Sequence, residues 1–152
     1  MKQFVYGAVF GIAVGLVAAA LTMPKLMLKE AASPLGYEET IEHIQKKVTD
    51  GGWKVSALMR LDKSLAKEGK DVLPVASFKI CQPDHAEQIL RDDDARFLSV
   101  MMPCSIGVYE KADGKTYIST MNSGLMGRLF GGTAQQVMGG AVADETAEFV
   151  KF

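Results

Sequence analysis

The sequence predicts an α+β fold, in which a small sheet of antiparallel strands carries flanking helices. Three observations carry this prediction. Apolar residues recur at helical spacing in one segment, they alternate with polar residues in others, and Asp113-Gly114 marks a hairpin turn. Hairpins mixed with helices favour α+β over a doubly wound sheet.

The first helix is predicted over residues 37–52. Its apolar positions are Tyr37, Ile41, Ile44 and Val48, and two glycines end it. Strands are predicted over 53–60, 72–81, 97–102, 105–111 and 115–121. Further helices are expected over 82–93, where Pro83 suits a first turn, and over 125–130, from Thr133, and from Asp144 to the end.

The bulk composition allows one domain with a real core. The chain has 152 residues and a net charge of −1. Nucleic acid is excluded as the main partner, because phosphate binding needs a clustered excess of Lys and Arg. With two cysteines and two histidines, a dense metal cluster is also excluded, while a disulfide or a small site stays open.

The N-terminal residues 1–23 are predicted to form a transmembrane anchor or an uncleaved signal. Residues 4–23 carry no charge and are long enough, as a helix, to cross a bilayer core of about 30 Å. Gly7, Gly11 and Gly15 are spaced by four, as in helices whose backbones approach closely in lipid. The anchor is therefore expected to pack against another membrane helix or a second copy of itself.

Residues 24–36 are interpreted as a tether and residues 37–152 as the soluble domain. Lys2 precedes the apolar run while Lys25 and Lys29 follow it, so charge alone sets the orientation weakly. Because the segment also resembles a secretory signal, we expect a single-pass protein of the inner (cytoplasmic) membrane with its domain in the periplasm.

Four stretches carry a family resemblance: "ETIEHIQKKVTDGGWKV", "KICQPDHAEQIL", "MPCSIGVYEKADGKTYIS" and "MNSGLMGRLFGG". Together they resemble the bacterial family known as domain of unknown function 302, over most of residues 37–143. The resemblance implies a compact α+β domain similar to the TATA-binding-protein-like topology, often dimeric. It implies no activity and therefore no catalytic residue.

Cys81, His85 and Cys104 form the sharpest candidate constellation. Cys81 closes a predicted strand, His85 follows it by four residues, and Cys104 opens another strand. If the strand ends are adjacent, two thiolates and an imidazole suit zinc or copper, and Met101 or Met102 adds a thioether that copper(I) favours. A Cys81–Cys104 disulfide and two unlinked core cysteines are the alternatives.

Catalysis is weakly indicated. No third residue that would orient the imidazole is identifiable, and no Gly-x-Ser-x-Gly turn occurs. The Cys-x-x-Cys-His sequence through which haem is attached covalently does not occur either. We expect no bound cofactor, with zinc, copper and haem as alternatives, and interpret His43 and the run 92–94 as solvated polar positions.

The segment 121–132 is the candidate contact surface. Asn122 and Ser123 can cap a short helix. Its apolar stripe and single charge are Leu125, Met126, Arg128, Leu129 and Phe130. Core packing, a subunit contact, and a pocket for an apolar or anionic ligand all stay open.

The leading hypothesis is a non-enzymatic, membrane-anchored binding or accessory subunit of a larger membrane assembly, with respiratory complexes among the candidates. It is expected to self-associate or to contact other membrane subunits. The alternative is a metal-binding or thiol-redox protein that uses Cys81, His85 and Cys104.

Overall fold

The computed structural model describes residues 26–152, together with Gly11 and Gly15. The elements of residues 26–152 are, in order, β1 (Leu28–Ala32), α1 (Tyr37–Asp50), β2 (Lys54–Arg60), α2 (Leu61–Ala66), β3 (Val75–Cys81), α3 (Pro83–Arg91), a 3₁₀ helix (Arg96–Met101), β4 (Cys104–Glu110), β5 (Thr116–Met121), α4 (Ser123–Phe130), α5 (Gly132–Gln136), a π-helical stretch (Val137–Val142) and α6 (Ala143–Phe149). The α+β class is thus confirmed.

One antiparallel sheet organises the domain. Its five strands lie in the order β1-β5-β4-β3-β2. The predicted hairpin joins β4 to β5, with Glu110 opposite Thr116, and Gly114 takes a φ of 73° in the turn. Such a positive φ favours glycine because it has no Cβ. The strand order was not predictable, since it depends on pairings between segments far apart in the chain.

The core lies between one face of the sheet and the helices that pack on it, of which α1 is the longest. Alternate residues of β3, such as Phe78 and Ile80, are fully buried, as expected for a strand with one face covered. Ile44 and Val48 of α1 are fully buried as well, which matches the predicted apolar face. Burying each such side chain contributes about 1.5–3 kcal/mol.

Two segments differ from the sequence prediction. Residues 97–102 were predicted as a strand, but residues 97–101 belong to the 3₁₀ helix and Met102 is the extended residue that follows it. The carbonyl oxygen of Asp92 accepts the backbone N–H groups of Ala95 and Arg96, which starts the helical path. Within that helix only Leu98 is buried, so there is no alternating face for a sheet to cover. Residues Leu28–Ala32, expected in the tether, form edge strand β1 and pair with β5.

The predicted anchor lies almost entirely outside the described residues. Of its three spaced glycines, Gly7 is not described, while Gly11 and Gly15 are helical and have open space around them. Among the residues that are described, no helix has the length and apolar character needed to cross a membrane.

Candidate functional site

A small cavity opens at the end of the sheet where β3 and β5 finish and β4 begins. Its volume is about 40 Å³. The walls come from these strand ends, from α3, from the 3₁₀ helix and from the π-helical stretch. The lining residues are mostly apolar: Trp53, Ile80, Cys81, Gln82, His85, Ala86, Ile89, Leu98, Met101, Met102, Pro103, Cys104, Met121, Val137, Met138 and Val142.

Sulfur is concentrated in this cavity. Both cysteines of the chain and four of its nine methionines line it. The four methionines come from three separate places in the fold: Met101 and Met102 near the 3₁₀ helix, Met121 from β5, and Met138 from the π-helical stretch. Distant parts of the sequence therefore deliver polarisable side chains to one point.

The two cysteines lie at adjoining strand ends because β3 and β4 are antiparallel neighbours. Ile80 is registered opposite Cys104, which places Cys81 at the adjoining strand end. Both cysteines are half-buried and free, so the disulfide considered from the sequence is not formed in this structure. Burial raises the pKa of the Cys104 thiol, and the neighbouring Cys81 raises that pKa further.

His85 lies at the same cavity but is engaged by a carboxylate. Gln82 caps α3 by accepting the backbone N–H of His85 at 3.2 Å, and Pro83 occupies the first turn. The imidazole Nε2 lies 3.2 Å from Oε1 of Glu145 in α6. The indole Nε1 of Trp53 donates to Oε2 of the same carboxylate at 2.5 Å.

The predicted trio of Cys81, His85 and Cys104 thus shares one cavity wall without making a three-ligand metal site. Within residues 26–152, no group of three or more His, Cys, Asp or Glu side chains is arranged to hold a metal ion. Trp53 and Glu145 were not identified from the sequence as site residues. They are 92 positions apart, and no local pattern links them.

One part of the segment 121–132 packs against the rest of the domain, and another part is exposed to solvent. Asn122 caps α4 by accepting the N–H of Leu125 at 3.3 Å, and Gly127 is buried against the backbone of Gly139. Met126 packs against the core, whereas Arg128, Leu129 and Phe130 are exposed. The packing interpretation therefore fits the middle of the helix, and the contact interpretation fits its end.

An exposed apolar surface lies at the end of α4. The Phe97 and Phe130 rings meet edge to face with centroids 5.8 Å apart. Phe97 is 60% exposed and Val100, one turn further on, is 85% exposed. We call Phe97, Val100, Leu129 and Phe130 the Phe97 face.

The other polar candidates are engaged in local structure. His43 stacks on Phe152 and its Nε2 lies 2.9 Å from the carbonyl oxygen of Lys151. Asp92 accepts from the Thr133 hydroxyl at 2.5 Å and from the Asp94 N–H at 3.0 Å. The Thr133 bond is the largest of the causes that lower the pKa of Asp92. The bond from the Asp94 N–H to the Asp92 side chain belongs to a turn over residues 93–95, so this acidic run has a local structural role.

The fold and cavity define a class: a small α+β domain on one antiparallel sheet, with a sulfur-lined cavity at the strand ends. The chain belongs to the family described as domain of unknown function DUF302, whose model matches residues 29–151. A crystal structure of an uncharacterized conserved DUF302 protein from Bacillus stearothermophilus is similar, with a TM-score of 0.71 and 19% sequence identity. The match covers 82% of this chain and 95% of that one, and it shows the fold. No curated protein matches.

Proposed function

We propose that this chain is a membrane-anchored, non-enzymatic binding domain that holds a small, soft ligand in its sulfur-lined cavity. The observation that carries the proposal is the convergence of both cysteines and four methionines on one cavity. Thiols and thioethers are polarisable groups that select soft partners.

The size of the cavity limits the ligand. At about 40 Å³ it has room for an ion or for a molecule of a few atoms. Drug-sized ligands and cofactors occupy pockets of roughly 300–1,000 Å³. Haem, one of the cofactors considered from the sequence, is therefore disfavoured.

A binding role suits the thiols better than catalysis. The pKa of the Cys104 thiol is raised, because the thiol is buried and lies near Cys81. Nucleophilic cysteines have the opposite property, a lowered pKa beside a base or a cation. The imidazole Nε2 of His85, the nearest candidate base, is already paired with the Glu145 carboxylate.

The expected membrane location belongs to this proposal. The apolar run ends at residue 23 and β1 begins at Leu28, so the chain has only a few residues between the two. Asn122 holds the segment that leads into β1, because its side-chain N–H donates to the carbonyl oxygen of Leu26 at 2.8 Å. The domain would therefore lie close to the periplasmic surface of the inner membrane. The proposal also keeps the TATA-binding-protein-like topology that the family resemblance implies.

The experiment is native mass spectrometry of the full chain, gently extracted from membranes of its source cells. We expect a stoichiometric ligand in the wild type. Ala86→Leu, which fills the cavity from α3, should abolish it, while Glu87→Leu on the exposed side of the same helix should retain it. An empty wild type, or a ligand unaffected by Ala86→Leu, would overturn the proposal.

A second candidate function, self-association, is favoured by the Phe97 face. Aromatic residues that stay exposed and contiguous are typical of contact surfaces. In the sequence, Arg96 precedes Phe97 and Arg128 precedes Leu129, and Arg96 pairs with Asp93 at 2.8 Å, so both signs of charge occur next to residues of the Phe97 face. A two-fold contact needs such self-complementarity, and we therefore assign the face to a second copy of the chain.

A further inference from the structure

This inference rests on the binding function proposed above. The side chains that line the cavity indicate that its ligand is a soft metal ion. Cys81 and Cys104 lie at adjoining strand ends, as the Ile80–Cys104 register requires. Four thioethers share their cavity. We propose that the cavity binds a single Cu(I) ion through the Cys81 and Cys104 sulfurs, with one or more methionine thioethers completing the site.

Copper(I) fits this donor set better than zinc does. Zinc sites draw three or four ligands from Cys, His, Asp and Glu. In the part of the chain that the structure describes, no three such side chains are arranged around one point. Methionine is a ligand for soft copper, and soft thiolates and thioethers together select Cu(I).

Binding requires both thiols to lose their protons. The balance is two thiols plus Cu⁺ giving a bis-thiolate copper anion and two protons, with no change in oxidation state. The product carries one negative charge into a mostly apolar site, which is costly unless a cation lies nearby. Lys79 is such a cation: its Nζ donates to the hydroxyl of Ser105, the residue next to Cys104, at 2.7 Å.

Trp53, His85 and Glu145 act around the ion rather than on it. The Trp53 and His85 rings meet edge to face with centroids 5.8 Å apart, and both rings line the cavity. Glu145 holds the two rings in place through its two oxygens. An apolar shell of this kind excludes water and controls access to a metal. His85 is thus a positioning residue in this assignment.

The test is an anaerobic competition titration of the reduced, detergent-solubilised full chain against a coloured Cu(I) chelator, bathocuproine disulfonate. We expect one Cu(I) per chain, at least tenfold weaker binding for Cys81→Ser and Cys104→Ser, and a smaller loss for Met102→Leu. Met59→Leu, outside the cavity and partly exposed, should bind as the wild type does. Met102→Leu preserves volume, so it tests the site even if a serine variant fails to fold.

X-ray absorption at the copper edge identifies the ligands. Sulfur alone in the first shell supports the assignment, whereas a nitrogen neighbour would place His85 on the metal and overturn it. No Cu(I) uptake, with a different ligand in native extracts that Ala86→Leu abolishes, would overturn copper but keep the binding function. No uptake and no native ligand would overturn both.

Discussion

Trp53 and Glu145 are joined by a 2.5 Å hydrogen bond from the indole Nε1 to Oε2, across 92 positions of sequence. Trp53 immediately precedes β2, and Glu145 lies in the C-terminal helix α6. The indole also packs edge to face on Phe149 of the same helix, with ring centroids 5.5 Å apart. These contacts therefore attach helix α6 to Trp53, which lines the cavity.

Replacing Glu145 by alanine should loosen that attachment. The Trp53 N–H would lose its acceptor, and an unsatisfied buried donor costs about 1–3 kcal/mol. Denaturant unfolding monitored by Trp53, the chain's only tryptophan, measures this loss directly. We expect Glu145→Gln, which keeps an oxygen acceptor, to lose less.

Asp144→Ala is the matched control, since Asp144 is the exposed neighbour on the same turn. It should leave stability within about 0.5 kcal/mol of the wild type. Equal losses for Asp144→Ala and Glu145→Ala would mean that charge near the start of α6, rather than the bond to Trp53, matters.

The secondary structure was largely predictable where local signals are strong. The spacing of Tyr37, Ile41, Ile44 and Val48 predicted α1, and Asp113-Gly114 predicted the β4–β5 turn. The prediction failed at residues 97–102, because a short apolar run does not distinguish a strand from a helical turn. That distinction depends on whether a neighbouring strand is available for pairing.

The site was predictable only in part, for a related reason. Cys81, His85 and Cys104 each stand out as chemically rare residues, and all three line the cavity. Glu145 is an ordinary acid in an acidic helix, and Met121 an ordinary strand residue. Only the tertiary fold brings Met121 to the cavity and Glu145 to the Trp53 and His85 side chains that line it, so no pattern in the sequence could select them.

Gly127 should tolerate no side chain. A Cβ there would lie 2.5 Å from the backbone N of Gly139 and 2.8 Å from the carbonyl oxygen of Ala134. Backbone atoms cannot yield as a flexible side chain can, so Gly127→Ala should cost about 3 kcal/mol or more. Thermal and denaturant unfolding both measure the effect.

Gly124, three residues earlier in the same helix, provides the comparison. Its added Cβ would meet the Ala143 methyl at 3.6 Å, an ordinary contact distance. Gly124→Ala should therefore be neutral or mildly stabilising, since alanine is the better helix former. If the two variants unfolded alike, the close approach of α4 to Gly139 would not be a feature of the folded protein.

The Phe97 face should govern self-association. Val100→Glu places a charge on its most exposed apolar position, 85% accessible, where desolvating a carboxylate opposes contact. We expect the dissociation constant of the dimer in detergent to rise at least tenfold, which corresponds to a loss of about 1.4 kcal/mol of association free energy. Sedimentation equilibrium across a concentration series measures this constant.

Leu73→Glu is the control, because Leu73 is also exposed, at 53%, but lies on the loop before β3. It should dimerise as the wild type does. A dimer undisturbed by Val100→Glu would assign self-association to another surface, with the Gly7, Gly11 and Gly15 positions as the next to test.

Tyr37 should make the protein sensitive to alkali. Its hydroxyl is buried and has no hydrogen-bond partner among residues 26–152, and the Arg60 guanidinium lies 5.0 Å from its ring centroid. Burial, the largest cause, raises the pKa of Tyr37 from 10.0 to about 12. The folded protein therefore keeps a proton that the unfolded chain releases.

The sign of the pH dependence follows from that difference. Between pH 10 and about 12 the unfolded chain binds fewer protons at this residue, so the free energy of unfolding should fall as pH rises. Tyr37→Phe should flatten this fall and, at neutral pH, leave stability unchanged or raise it by about 1 kcal/mol, because an unpaired hydroxyl is removed. Tyr109, whose pKa is also raised to about 12, is present in both proteins and cancels in the comparison. Urea unfolding at pH 7, 10 and 11.5 measures it, and parallel curves for the two proteins would show that Tyr37 ionises as freely in the folded state as in the unfolded one.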